Sequence, residues 1–542
     1  MIAGTSLRWA TAAVATVAVL TAGCSSGSSD GSASSGGTVT AWWADPQNPL
    51  EPANTNEVSG GAVLNMIFTG LVQYDPKTSE PSNANAESIT SDDQQNWTVK
   101  LKPGWKFSDG TTVTAKSYVD AWNYGALSTN KQLNSFFFSY IQGYDQVSPA
   151  SGEPTTQTMS GLKVVDTNTF TVALTQKFST WPATLGYSAY FPLPASFFSD
   201  HAAYLNKPIG NGPYKISSWA KSQQMELRPF SGYSGPDKPK NGGIDLKVYT
   251  DPSAAYADLQ AGNLDIDNNL SNSALKTAES DLNGRFLNTP AGIIQTLSFP
   301  LYQPQWSTPG AQMVRQGISM AIDRPTIAKV VFSNTTTPAT DWTSPVLGEA
   351  GGYKEGLCGE LCTYNPAKAK QLIEEGGGIP GGKLTISYNA DGPHKEWVDA
   401  VCNSINNALN NTKLCVGNPV GTFADFRNQI AAKTLTGPFR TGWQMDYPLI
   451  QNFLQPVYTT GGSSNNSGYK NAQFDSLVNQ ANANPDKSAA VGQFQDAEKL
   501  LVSDVPVIPL WYQNGTVGWS SDVDNVTLNP FSVPVYTQIT KK

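Results

Sequence analysis

The chain has 542 residues, 43 Asp and Glu against 35 Lys and Arg for a formal charge of −8, and only two histidines, His201 and His394. A net-negative chain without basic runs is a poor partner for nucleic acid or an anionic membrane surface, and so few histidines disfavour hydrolysis at a His-held metal. The length exceeds a single hydrophobic core, so several domains are expected.

The first element is a leader. Residues 1–23 carry one Arg, no acid and an apolar run from Trp9 to Leu20, and Thr21-Ala22-Gly23 puts small residues before Cys24. This reads as a bacterial lipoprotein signal, cleaved before Cys24 and acylated on its thiol; an ordinary secretory signal or an uncleaved anchor is the alternative. Thr21, where Leu or Val is commoner, allows for inefficient processing and partial release. Residues 24–37 are almost wholly Ser and Gly, a flexible tether with a reach of ~20 Å. Gly27-Ser28-Ser29-Asp30-Gly31 has a nucleophile spacing but lies inside the tether, without the strand-turn-helix that activates a serine. No later segment approaches 18 apolar residues, so the body is expected to be soluble.

Beyond the tether, short strands alternate with amphipathic helices. Periodicity predicts strands at 95–101, 169–174, 244–249 and 383–388, and helices at 115–127, 310–321, 366–375, 395–409, 471–481 and 487–502. This alternation indicates an α/β protein. Lys102-Pro103-Gly104 and Ser108-Asp109-Gly110 read as turns, and Gly210-Asn211-Gly212-Pro213-Tyr214 as a structural loop in which backbone approaches backbone. Gly377-Gly-Ile-Pro-Gly-Gly-Lys383 mimics a phosphate loop, but a helix precedes it, a strand follows, and Leu384 replaces the required Ser or Thr.

Four cysteines remain after Cys24. Local pairing of Cys358 with Cys362 and Cys402 with Cys415 is the economical choice, although four cysteines allow three connectivities. A four-Cys zinc site is the alternative, and the spacings fit no ribbon pattern. No metal, cofactor or catalytic group is expected.

Several landmarks occur in order: Leu101-Lys-Pro-Gly-Trp-Lys-Phe-Ser-Asp-Gly110, Gly210-Asn-Gly-Pro-Tyr214, Val314-Arg-Gln-Gly-Ile-Ser-Met-Ala-Ile-Asp-Arg324, Asn365-Pro-Ala-Lys-Ala-Lys-Gln-Leu372, Gly442-Trp-Gln-Met-Asp-Tyr-Pro448, Gly468-Tyr-Lys-Asn-Ala-Gln-Phe-Asp475 and Val505-Pro-Val-Ile-Pro-Leu510. Together they resemble the bacterial extracellular solute-binding proteins of family 5, the oligopeptide-, dipeptide- and nickel-binding subunits of ABC importers. The resemblance implies a two-lobed clamshell of the type II periplasmic-binding-protein kind, with mixed sheets. Domain I would take 38–70, 188–287 and 506–542, domain II would be an insertion at 71–187, and domain III would be the opposing lobe at 288–505, with hinge crossings near Thr289 and Pro506.

It further implies that Asp446, the Asp of the Gly-Trp-x-x-Asp pattern, pairs with a ligand's α-ammonium, where a buried cation needs a carboxylate. Gly442 and Gln444 would pair with ligand main chain as an added strand. Trp443 would wall a side-chain pocket, and Arg440, six residues before the Asp, would take the ligand carboxylate. Tyr447, Trp511 and Tyr512 are further cleft candidates. Asn54, Asn56 and Glu57 would lie on the rim, with helix capping as their alternative.

The implied role is an extracellular, lipid-anchored, monomeric receptor. It would deliver small peptides or other amine-bearing solutes to ABC permease subunits. A glycan or metal-chelate ligand, a sensor role, or a glycosidase using Asp265 and Asp267 are the competing readings.

Overall fold

The computed structural model describes residues 36–542, apart from Asp391, and this stretch forms one compact unit. Cys24 and most of the tether lie outside the described residues.

The predicted elements form where the sequence places them. Trp97, Val99 and Leu101 alternate with exposed residues along strand Asn96–Leu101 and point into the core. Helix Ala115–Ala126 buries Ala115, Tyr118, Val119 and Trp122, a spacing that makes one face, and a capping box between Thr114 and Ser117 starts it. Helix Pro366–Glu375 has Asn365 as N-cap and Pro at its first position, where the missing N–H costs nothing. The glycine-rich stretch before Lys383 runs from that helix into strand Leu384–Asn389, a helix-stop turn and not a phosphate loop.

A central sheet of eleven strands runs through the molecule. At one end Val39–Trp43 pairs in parallel with Ile244–Val248, followed by antiparallel Gln224–Pro229 and Tyr214–Ala220. At the other end Leu384–Asn389 pairs in parallel with Cys415–Val420 and meets Phe439–Gln444. Between them, strands Phe286–Ser298 and Val507–Trp519 pair antiparallel along their whole lengths. An antiparallel four-stranded sheet (Ala86–Thr90, Asn96–Leu101, Thr169–Ala173, Leu162–Val164) lies separately within 71–187, backed by helix Ala115–Ala126.

Two large apolar cores result. The first gathers Val39, Leu64, Trp97, Trp122, Phe170 and Ile244; the second gathers Ile294, Trp306, Ile318, Trp397 and Leu510. The two long strands run through both and form the hinge. The return crossing differs from the expectation at Pro506. Val507 to Tyr512 pack in the second core and Val517 in the first, so the chain changes lobe near Asn514 and Gly515, which pair with Pro290 and Thr289. The ladder shifts register between Pro290 and Ile293; a proline without an N–H interrupts it there.

The cysteines lie in local pairs. Cα atoms are 5.7 Å apart for Cys358 and Cys362 and 4.9 Å for Cys402 and Cys415, so both local pairs stand at disulfide distance. Asp265 is held by Lys541, Thr40 and Ser520, and Asp267 is fully buried, so this pair is structural and flanks no cleft. His201 meets Glu51 at 3.0 Å, and His394 is paired with Trp397. Among the described residues no group of three His, Cys, Asp or Glu could hold a metal ion, and no helix is long and apolar enough to cross a membrane.

Candidate functional site

A cleft of about 1550 Å³ opens between the lobes, larger than the roughly 300–1,000 Å³ of a typical small-molecule site. One wall is built on helix Val58–Ile67. Glu57 caps it, its carboxylate accepting from Ser59 N (2.8 Å) and Gly60 N (2.9 Å), while Thr55, Asn56 and Glu57 face the cleft. Burial holds the Glu57 carboxyl above its ordinary pKa despite those bonds. The floor, Phe68 to Gly70, is fixed by the Gly-Asn-Gly loop. Asn211 accepts from Thr69 N (3.0 Å) and donates to Thr69 O (2.9 Å), and a Cβ at Gly210 or Gly212 would collide with the Ile67 backbone. Tyr74 and Tyr187 complete this side.

The facing wall is strand Phe439–Gln444 and the turn after it. The strand pairs with 286–298 through Gly442–Gln295 and Gln444–Ile293. Its other neighbour, Leu384–Asn389, meets it only at Ser387–Phe439. Among the described residues, the edge of 441–444 therefore has no second strand beside it.

Asp446 follows this strand and reaches the cleft from the second lobe. Its Oδ2 accepts from Asn452 Nδ2 (2.9 Å), and its own N–H donates to Asn452 Oδ1 (2.9 Å). The same Asn452 oxygen accepts from Trp443 Nε1 (3.1 Å), so one buried amide sets the carboxylate and the indole together. From the opposite lobe Tyr187 lines the same cleft, and its phenol lies near enough to Asp446 to favour the carboxylate. Tyr74, Tyr190 and Tyr447 surround it closely enough that its charge acts on each phenol. No Lys, Arg or His pairs with it among the described residues. Burial raises its pKa to about 7, with the Asn452 bond and the Tyr187 phenol opposing the rise. A half-buried carboxylate without a counter-ion among the described residues, facing a ligand-sized cleft, has the chemistry to pair with a cation.

The bacterial extracellular solute-binding protein family 5 (middle) profile matches residues 80–465. The chain belongs to this family. It is similar to the dipeptide-binding protein DppE of Bacillus subtilis (25% identity over 90% of this chain and 88% of that one) and to OppA of the same organism, an oligopeptide-binding protein (24%, 87% and 86%). Its fold matches the solved structure of the Escherichia coli murein tripeptide binding protein MppA, with a TM-score of 0.78 at 22% identity, covering 94% of this chain and 99% of that one. The protein is thus a two-lobed binding protein that carries a solute rather than transforming it.

Of the residues singled out from sequence, the fold brings Asp446, Gln444, Asn56 and Glu57 to the cleft. Gln444 Nε2 donates to Phe531 O at 3.2 Å. Gly442 is exposed on its strand, but with Trp443 it lines a small separate cavity beside Thr441 and Trp342. Arg440 is not brought in: its guanidinium donates to Asn389 Oδ1 and lies over Phe423 and Phe426. Tyr447 is buried in the first core, its hydroxyl donating to Gln451 (2.7 Å). Trp511 packs between Phe332 and Trp397, and Tyr512 contacts Thr340 beside Asp341; both are core residues. Asn54 closes a turn onto Glu51 O and does not line the cleft.

Sequence reasoning missed Tyr74, Tyr187, Asn452 and Phe531. Asn452 lies six residues beyond a motif Asp, in the helix Ile450–Tyr458, but a polar residue at that spacing gives no signal of its own.

Proposed function

We propose that the protein captures small peptides, or another solute with a free amine, outside the cell and passes them to the permease subunits of an ABC importer. Cys24 would be the acyl anchor that holds it at the outer face of the membrane. The observation that carries the ligand class is Asp446, a half-buried carboxylate that lines the cleft and has no cationic partner among the described residues. The edge of residues 441–444, which has no second strand beside it among the described residues, supports the same reading, because main-chain pairing along it accepts any peptide whatever its side chains. Its relatives in Bacillus subtilis, a dipeptide- and an oligopeptide-binding protein, agree with it.

Closure would complete the site. Away from the hinge the lobes already touch where Ser179 N donates to Asn482 O (2.8 Å) and where Tyr447 enters the first core. Water is then excluded from the ammonium–carboxylate pair, which strengthens it.

The test is a calorimetric cycle with Asp446→Asn and an N-acetylated tripeptide. Each change alone should weaken binding by ~30-fold or more, the ~2–5 kcal/mol of one truncated partner in a desolvated pair. The two together should cost little more than either, since both remove the same pair. Additive losses, or a variant that binds free-amine peptides as wild type does, would overturn the assignment.

A further inference from the structure

The polar groups next to Asp446 on the C-terminal side of the cleft are already committed. Segment Asn529–Val533 is a tight turn: Asn529 Oδ1 accepts from Phe531 N (3.0 Å) and Val533 N (3.1 Å), and Asn529 N–H donates to Val533 O (2.9 Å). The turn is tied to the second lobe at two points, Gly292 N donating to Pro530 O (2.7 Å) and Gln444 Nε2 to Phe531 O. It presents the Phe531 ring to Tyr74, centroids 5.8 Å apart. Tyr74 is fixed in turn by its hydroxyl bond to Ala183 O (2.8 Å) and by Gly186, where a Cβ would strike the phenol. Two rings from distant parts of the chain therefore form one rigid apolar wall, and Tyr74 is the ring that feels the Asp446 charge.

We propose that this wall, with Phe531 as its specificity-determining residue, holds the side chain of the ligand's amino-terminal residue and selects peptides in which that residue is bulky and apolar. The inference rests on the ammonium–Asp446 reading, which fixes the ligand's first residue at this place. A preformed aromatic surface gives an apolar side chain contact at little ordering cost. A charged or polar first side chain would lose water here and find the nearby carbonyls and hydroxyl occupied.

The experiment measures, by calorimetry, tripeptides Xaa-Ala-Ala with Xaa as Phe, Leu, Ala, Ser or Glu, on wild type, Phe531→Ala and Phe531→Leu. Wild type should bind the Phe-first and Leu-first peptides about ten- to hundredfold tighter than the Ser-first and Glu-first ones. Phe531→Ala should lose most of that preference, weakening the Phe-first and Leu-first peptides about tenfold more than the Ser-first one, and Phe531→Leu should restore part of it. An unchanged preference in Phe531→Ala, or a wild type indifferent to the first side chain, would overturn the proposal. The N-acetylated Phe-first peptide separates the two readings. If acetylation abolishes binding but the first side chain is not discriminated, the wall falls and Asp446 stands. If acetylation has no effect, or no free-amine peptide binds, both fall.

Discussion

If Asp446 receives a ligand ammonium, binding must be coupled to a proton. With its pKa raised by burial to about 7, the ligand-free carboxyl is about half protonated at pH 7, about nine-tenths at pH 6 and about a tenth at pH 8. The ammonium binds only the carboxylate. Its arrival supplies the missing counter-ion, drops the pKa and expels whatever proton is present. Free-amine peptide should therefore release about half a proton at pH 7, and the measured Kd should weaken relative to its limit by about twofold at pH 7, tenfold at pH 6 and a hundredfold at pH 5, or ~1.4 kcal/mol per unit. Glu57 and Asp237 also line the cleft with carboxyls raised by burial. Asp446→Asn, in which their contribution remains and that of Asp446 is gone, is accordingly the reference. Titrations at each pH in buffers of different ionisation enthalpy read the proton count directly. The reasoning fails if Kd is flat between pH 5.5 and 7.5, or if Asp446→Asn shows the same buffer dependence as wild type.

Buried Glu498 gives a stability test. Its carboxyl, raised by burial to about 8, is neutral in the folded protein at low pH and must ionise at a cost as pH rises, so its stabilising contribution is present below its ordinary pKa and lost through pH 8. Glu498→Gln, compared with wild type by urea unfolding, should gain relative stability from pH 5 to pH 8.5 by up to about 4 kcal/mol; a pH-independent difference would refute this. Cys402→Ser should expose the thiol of Cys415 to a thiol reagent and leave Cys358 and Cys362 unreactive, whereas a free thiol at either of those would reject the local pairing. Cys24→Ser should move the protein from the detergent phase to the medium or leave its precursor unprocessed. Unchanged partitioning would count against acylation.

Much of the architecture is local and therefore legible. Helix Pro366–Glu375 is marked by its own Asn365 cap and first-position Pro, and strand Asn96–Leu101 by its alternation, because capping and burial on one face are decided within a few residues. The Asp of Gly442-Trp-Gln-Met-Asp446 is a motif reading of the same kind, and the fold does bring that carboxylate to the cleft.

What tertiary structure decided is which apolar and charged side chains meet. Trp511 and Tyr512 sit on a strand that serves both lobes, and an aromatic residue on such a strand has the same sequence pattern whether it faces a cleft or, as here, a core. The lobe change at Asn514, not Pro506, follows from how far that strand runs before its neighbours change. Arg440 had the spacing for a ligand contact, but Asn389 and two phenylalanines lie beside it in space. Tyr74, Tyr187, Asp446 and Phe531 come from separate stretches of chain, and their chemistry arises only on convergence. Asp446 lacks a counter-ion because the fold places no Lys or Arg beside it among the described residues, and that depends on the packing of both lobes rather than on any local pattern.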